Sequence, residues 1–407
     1  MYKYCTNLVC TLCILTPIDN IRETLIHKKT IKALETHINM TNVNTMNITA
    51  DENIPYVQDA FKALGHVRTV NGRNLTQQEL LQTNILLVRS VTNVNKELLH
   101  NTPVQFVASA TAGFNHIDLD YLTSQNIGFA RAAGSNAISA AEYVFSGICL
   151  WSIKENKTLS DLSIGIIGYG NVGSRVKQLC EEAGLNCVIN DPPLEEKLND
   201  SQRQNLKFSN IDNALNCDIV TLHTPLTYAE NEYPTYRLLN QQRIEQLKPQ
   251  TLFINAARGE VVEEPALLAR MKDKHDLTLI LDVWENEPKI NTEILELTLI
   301  GTPHIAGYSI DGKIRGTEMI YQATCEFLDK KPQWSASQID FKDNIKSIIH
   351  ISSNTSKQRR EILKAYNIVT DNNNLKKILT DKTLADGHYF DSLRKNYPPR
   401  REFSTLK

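Results

Sequence analysis

Three short loops carry side chains suited to moving a proton beside a carboxylate. They read Asn255-Ala-Ala-Arg258-Gly259-Glu260, Asp282-Val-Trp-Glu-Asn-Glu287-Pro288 and Gly301-Thr-Pro-His304-Ile-Ala-Gly307-Tyr308. An arginine on a turn that Gly259 makes possible can offer a planar fork to a carboxylate. Glu287 precedes a proline, which holds it extended. His304 follows an apolar run and is of the residue type that gains and loses a proton near neutral pH. Taken singly, each has a plainer reading: an exposed ion pair, a solvated loop acid, a structural histidine. As a set they make an acid–base site, provided that one fold brings the three loops together.

The stretch LSIGIIGYGNVGSRVKQLCEEAGLNCVIND, Leu162 to Asp191, points to such a fold. Ile164 to Ile167 is a short β-branched run of the kind that forms a buried strand. Gly168, Gly170 and Gly173 follow, with Asn171 and Val172 between them, and an amphipathic run continues through Cys180. A second apolar run, Cys187 to Ile189, ends at Asp191, 18 positions after the last glycine. This is a dinucleotide fingerprint in its full strand–turn–helix–strand–acid context. Gly168 permits the tight turn, Gly170 lets the backbone approach a pyrophosphate, and Gly173 lets helix and strand pack closely. The helix N-terminus faces the phosphates with free N–H groups and partial positive charge. Asp191 would accept from both hydroxyls of the adenosine ribose. A carboxylate there disfavours a 2′-phosphate by roughly a few kcal/mol at an effective dielectric of ~20. Pro192 and Pro193 follow, with no adjacent arginine to offset it. The cofactor expected is NAD, not NADP.

At 407 residues the chain can build two or three cores. A net charge of −2 leaves no footprint for nucleic acid or an anionic membrane, so neither is expected as a partner. Three of the eight cysteines are Cys5, Cys10 and Cys13; Cys10-x-x-Cys13 lacks a second pair, and no metal is expected. Cys149, Cys180, Cys187, Cys217 and Cys325 fall in apolar runs and read as buried free thiols of a reduced, cytoplasmic protein. Leu8 to Leu15 is too short to span a bilayer and has no A-x-A cleavage site after it. Residues 1–45 are therefore expected to be a disordered extension, or to lie upstream of a functional start at Met46.

From Met46 onward, strands and helices alternate. Strands are expected at Asn47 to Asn53, Val67 to Val70, Asn84 to Val88, Val104 to Ser109 and Ile127 to Ala130. Helices are expected at Pro55 to Leu64, with Gly65 as C-cap, and at Leu75 to Leu81. A long apolar helix, Ala137 to Lys154, follows an N-cap at Ser135 or Asn136. After the nucleotide unit come strands at Asp218 to Leu222, Thr251 to Asn255, Thr278 to Asp282 and Leu299 to Thr302. The fold class is α/β, with two doubly wound parallel-sheet domains, one flavodoxin-like and one Rossmann, the second inserted into the first. A helix after Asp311 should return the chain to the first domain, leaving a substrate cleft between the two. The expected divisions are 46–136 with 305–331, 137–304, and 332–407. In the last, 344–352 reads as a strand, Lys357 to Ala365 as a helix, and Leu375 to Ile378 as part of another. The final LRKNYPPRREFSTLK is by default a solvated basic tail. The alternative is part of a small α+β dimerisation domain.

The order GYGNVG, NAARGEVV, DVWENEP and TPHIAGY resembles the D-2-hydroxyacid dehydrogenase family. DENIPY, VRSVTNVN, SATAGFNHID, GSNAISAAEYVF, YAENEYPTYRLL, HIAGYSIDGKIRGT and LRKNYPPRREF resemble one branch of it, which oxidises 4-phospho-D-erythronate, across Met46 to Lys407. Members of that branch usually run on past the RREF segment. The resemblance implies a homodimer, a substrate (lid) domain and a C-terminal dimerisation domain. It implies active-site roles for Arg258, Glu287 and His304, with His304 transferring the proton. It implies substrate contacts at Ser90, Thr111 and Tyr308. NAD contacts are implied at Asp191, Thr224, Ala256, Ala257, Arg258, Asp282 and Gly307, beside the glycine loop. In this scheme Arg258 grips the C1 carboxylate and polarises the C2 oxygen. Neutral His304 takes the C2 hydroxyl proton, and Glu287 bonds the far imidazole nitrogen. Oxidation should then quicken as pH rises through neutrality. Arg89 is either a phosphate ligand or a structural arginine. Two rival readings are a 3-phosphoglycerate-type dehydrogenase, which would need a different C-terminal module, and a non-catalytic NAD-sensing protein.

Overall fold

The computed structural model describes residues 46–339 and 355–403. The expectations for residues 1–45, including their cysteines, and for a strand over 344–352 lie outside these residues.

Two all-parallel sheets organise the chain. The first contains β1 (Met46–Asp51), β2 (Gly65–Val70), β3 (Ile85–Val88), β4 (Phe106–Ser109) and β5 (Gly128–Arg131) in the order β2-β1-β3-β4-β5, the flavodoxin-like winding. The second contains β6 (Ser163–Ile167), β7 (Asn186–Asn190), β8 (Ile219–Leu222), β9 (Leu252–Asn255), β10 (Thr278–Leu281) and β11 (Ile300–Gly301). Its order is β7-β6-β8-β9-β10-β11, and an isolated parallel bridge from Ile189 to Phe208 adds a rudimentary strand outside β7. With that bridge the winding is the Rossmann one, reversing at β6. The inner strands β3, β4, β8 and β9 are short and buried on both faces, with every residue buried. Helices on both sides of a parallel sheet require this.

Helix α1 (Ala137–Lys154) leads from the first sheet into the second, with Asn136 at its N-cap. Fourteen of its 18 residues are buried, because it is covered on both sides. Helix α2 (Asn171–Glu182) follows the glycine turn, and α3 (Ile310–Phe327) returns the chain to the first sheet. Ile320, Tyr321 and Cys325 of α3 share one core with Ile48, Phe61 and Phe106, so the second unit is inserted into the first.

Several details differ from the sequence expectation. Gly65 opens β2; the preceding helix, Val57–Phe61, ends earlier at a Lys62 C-cap. Leu75 to Leu81 holds only a 3₁₀ turn, Gln77–Leu80. The return helix starts at Ile310, capped by the Ser309 hydroxyl, so Asp311 lies inside it. The terminal basic segment is not solvated. Arg400 is 8% exposed and Phe403 6%. Among the described C-terminal residues all the regular structure is helical: α4 (Ser356–Ala365), α5 (Ile368–Leu375), α6 (His388–Lys395) and short turns between. These helices do not form a core of their own. Ile362, Tyr366 and Ile368 join the core of α1 and β6, while Leu375, Ile378 and Phe390 join that of β8 to β10.

Candidate active site

All the strands of the second sheet are parallel, so the turns after β6, β8, β9, β10 and β11 gather on one edge, at the point where the winding reverses. The glycine turn follows β6. Gly168 has φ +93°, and a Cβ there would lie 2.7 Å from the His223 carbonyl carbon. A Cβ on Gly173 would overlap the Gly168 carbonyl oxygen. Gly170 differs: nothing lies within 4 Å of where its Cβ would be. Two of the glycines are thus needed by the fold, and the third fronts open space. Asn171 and Val172 begin α2 there. Asp191 stands at the edge of this turn, accepting from Tyr169 N at 2.7 Å and Leu194 N at 3.0 Å. A carboxylate has about four lone-pair positions, so it can accept more.

The turn after β8 leaves two buried polar atoms without a partner among the described residues, His223 Nδ1 and Thr224 Oγ1. Burial lowers the His223 pKa to about 3, so the ring is neutral. Buried polar atoms without partners are costly, and a bound ligand would satisfy them. Open space at Gly170, unfilled acceptor capacity at Asp191 and the orphan hydroxyl of Thr224 fit a dinucleotide.

Arg258 follows β9. Asn255 fixes its turn, accepting from Ala257 N at 3.1 Å and donating to Arg258 O at 3.0 Å. Ala256 is half-buried and Ala257 buried on the same turn. Gly259 is required because a Cβ would strike the Trp284 carbonyl. Arg258 Nη1 bonds its neighbour Ala257 O at 2.7 Å, and its Nη2 points across to the first sheet's side, 2.9 Å from where a Gly113 Cβ would be. Burial lowers its pKa, countered by the charges of Glu287 and Glu260.

Glu287 and His304 form the central pair: His304 Nδ1 lies 2.8 Å from Glu287 Oε2. The other oxygen, Oε1, accepts from Trp284 N at 3.1 Å. Burial raises the Glu287 carboxyl. The charge and hydrogen bond of His304, the Trp284 N–H and the Arg394 charge outweigh it, leaving a net shift downward. The peptide bond from Glu287 to Pro288 is cis.

Asp282 is 1% exposed and turned inward. Its Oδ1 accepts from the Thr302 hydroxyl at 2.6 Å and Ile305 N at 2.8 Å, and its Oδ2 from Ala306 N at 2.9 Å. Three acceptor positions are therefore spent on holding the His304 turn. Gly307 packs against Asn136 at the start of α1, where a Cβ would overlap the amide.

From the first sheet come Ser90 after β3 and Thr111 after β4. Thr111 Oγ1 bonds Ser109 Oγ at 2.8 Å and donates to Gly113 O at 3.3 Å, so it holds the loop that meets Arg258. Ser90 is exposed and makes no hydrogen bond to Arg258, Glu287 or His304 among the described residues. Arg89 pairs with Asp51, Nε to Oδ1, at 3.0 Å. Tyr308 is half-buried and meets Tyr397 edge to face at 5.8 Å. Three residues here were not singled out from the sequence: Lys313, whose Nζ lies 5.1 Å from the Tyr308 ring centroid; Arg394, whose charge interacts with Tyr308 and Glu287; and Gly113. Each lies inside a run that carried the family resemblance, HIAGYSIDGKIRGT, LRKNYPPRREF and SATAGFNHID respectively, without being picked out from it.

Comparison with known proteins places this arrangement. Residues 140–306 match the family described as "D-isomer specific 2-hydroxyacid dehydrogenase, NAD binding domain", and residues 343–407 match a domain of unknown function (DUF3410). An erythronate-4-phosphate dehydrogenase of Marinobacter nauticus is 42% identical over 365 residues, covering 89% of this chain and 94% of that protein. One from Hahella chejuensis is likewise 42% identical over 365 residues, with the same coverage of 89% and 94%. Among solved structures, D-lactate dehydrogenase from Aquifex aeolicus, complexed with NAD and lactic acid, is 25% identical with a TM-score of 0.56, covering 70% of this chain and 95% of that one. The chain is an NAD-dependent dehydrogenase and belongs to the D-isomer specific 2-hydroxyacid dehydrogenase family, in the branch of the erythronate-4-phosphate dehydrogenases.

Proposed function

We propose that this enzyme oxidises 4-phospho-D-erythronate at C2 to (R)-3-hydroxy-2-oxo-4-phosphooxybutanoate, a step of pyridoxal 5′-phosphate synthesis. The single observation that carries the chemistry is the 2.8 Å pairing of His304 Nδ1 with Glu287 Oε2, near the Arg258 charge and on the sheet edge that also carries the glycine turn. Bound NAD supplies the hydride acceptor. With Nδ1 engaged by Glu287, the Nε2 of His304 is left to accept the C2 hydroxyl proton. Glu287 fixes that tautomer and stabilises the imidazolium that forms. Arg258 holds the C1 carboxylate and polarises the C2 oxygen as it becomes a carbonyl. Ser90, Thr111 and Tyr308 border the substrate. Gly168, Gly170, Asn171, Val172, Gly173, Asp191, Thr224, Ala256, Ala257, Asp282 and Gly307 surround the cofactor, with Asp282 acting through the turn it holds.

The first sheet with α3 serves as a lid over the second unit, with divisions at 46–136 plus 305–331, 137–304 and 332–407. Family resemblance supports a cytoplasmic homodimer assembled through the last division, and sedimentation equilibrium reads that state directly. No described helix is long and apolar enough to cross a membrane.

The test is NADH formation, followed by absorbance, with 4-phospho-D-erythronate beside 3-phosphoglycerate and D-lactate. The first should be the preferred substrate; a preference for either other acid would overturn the assignment. His304→Ala should lose roughly 10²–10⁴-fold in turnover while NAD binding is kept.

A further inference from the structure

Positive charge that this mechanism leaves unused gathers around Tyr308. Lys313, near the start of α3, sets its ammonium against the Tyr308 ring at 5.1 Å. Helix α6 brings Arg394 to the same place, close enough for its charge to interact with Tyr308 and with Glu287. Arg89 stands close enough to Lys313 to repel it: crowding by the protein, and then the Arg89 charge, lower the Lys313 pKa.

Acidic partners are too few to neutralise this set. Arg89 has Asp51 at 3.0 Å. Arg394 meets Asp391 only at 3.9 Å. Asp311, on the same turn as Lys313, is bound by Arg401 at 2.7 Å, and Lys313 makes no ion pair among the described residues. The Nε of Arg394 is buried and has no partner among the described residues. A buried guanidinium donor left unpaired is unfavourable, and an anion would relieve it. A positioning role toward Glu287 alone would explain one cation beside that carboxylate. It would not explain the second and third cations around Tyr308.

We propose that Lys313 and Arg394, with Arg89 and the Tyr308 hydroxyl, form a subsite for a phosphate monoester dianion. The C-terminal helix thereby takes part in choosing the substrate. The proposal rests on the functional reading above. Arg258 serves one anionic end of the acid, and the Tyr308 cluster, bordering the Glu287–His304 pair, serves the other. Arginine brings a fork for phosphate oxygens and lysine a point charge, the usual combination for a phosphate group.

The experiment compares wild type, Lys313→Met, Arg394→Met and Arg394→Lys, all NAD-loaded, on 4-phospho-D-erythronate and on unphosphorylated D-erythronate. For each Met variant, kcat/KM on the phosphorylated acid should fall about 10- to 100-fold, the loss of one charge-assisted hydrogen bond, mainly through KM. Activity on D-erythronate should change by less than about threefold in Lys313→Met, and in Arg394→Met should fall by clearly less than activity on the phosphorylated acid does, because D-erythronate never engages the lost charge. Arg394→Lys should recover part of the loss. Equal losses on both acids would mean that Arg394 acts only on Glu287, and no loss on either would remove the cluster from recognition; both results overturn the proposal. Calorimetric binding of inorganic phosphate to the NAD-loaded proteins gives a second readout. It should weaken in both Met variants, and unchanged binding overturns the subsite. If wild type oxidises neither acid, the functional reading fails and phosphate binding still decides the subsite. Should Arg394→Met melt early, Arg394→Lys and Lys313→Met carry the same comparison.

Discussion

His304 sits at φ +54°, in the left-handed region, where a residue other than glycine pays about 1–2 kcal/mol. The surroundings over-determine it. Its own N–H donates to Asp282 O at 2.7 Å, and the Asp282 carboxylate takes the N–H groups of Ile305 and Ala306. Strain held this firmly at a reacting group points to a required orientation. Here it turns Nδ1 toward Glu287. Glu287→Gln keeps the shape of the side chain and removes the charge that stabilises the imidazolium formed in the reaction, so kcat should fall by roughly 10²–10⁴-fold with NAD affinity kept. Turnover and NAD titration of the variant check this, and an unchanged kcat would remove Glu287 from the role. Each of the three residues was legible from its loop motif. Their mutual approach was not, because Gly259 and Asp282 achieve it through contacts with distant backbone.

At the scale of elements, the glycine turn separates stability from binding. Gly173→Ala forces a methyl into the Gly168 carbonyl and should cost several kcal/mol of stability, as overpacking against backbone does. Gly170→Ala meets nothing in the protein, so its melting temperature should hardly change while NAD affinity falls. Paired thermal melts and NAD titrations would show the split. A second element-level prediction concerns the helix Glu264–Asp273 beneath the Glu287 loop. Glu264 is 8% exposed and accepts from Glu285 N at 3.1 Å. Burial, with the Glu285 charge adding to it, raises its pKa to about 7. A carboxyl raised in the folded state keeps its proton when the unfolded chain has lost it. Stability therefore falls as pH climbs from the unfolded value toward 7, then levels off, a loss of roughly 3 kcal/mol at most. Glu264→Gln should flatten that decline in urea unfolding followed from pH 5 to about 8; an unchanged slope would place the titration elsewhere. Local signals made the sheets readable: β-branched runs, the glycine turn and the cap at Asn136. The short 3₁₀ turn at Gln77–Leu80 and the early end of the helix before Gly65 were not, since tertiary packing decides where such short elements stop.

Across the whole molecule, the last described residues tie the two connections between sheets together. Arg400 Nη2 donates to Ser139 O at 3.0 Å and to Ala306 O at 2.9 Å. Arg401 forks onto Asp311, Glu402 binds Arg315, and Phe403 N reaches Glu142 Oε1 at 2.8 Å. Composition alone reads this run as a solvated basic tail, because a charged side chain's partner is invisible in a linear pattern. Arg401→Ala should cost about 2 kcal/mol in urea unfolding, the range for charge-assisted bonds that are mostly buried. An effect within experimental error would return the segment to solvent. In the proposed mechanism, hydride leaves C2 of a phosphorylated hydroxy acid while His304 takes the hydroxyl proton. The most direct measurement uses 4-phospho-D-erythronate deuterated at C2. The deuterium should appear on the nicotinamide ring of the reduced cofactor, and His304→Ala should slow its transfer by roughly 10²–10⁴-fold. Reduced cofactor free of deuterium, or undiminished transfer in the variant, would contradict the account.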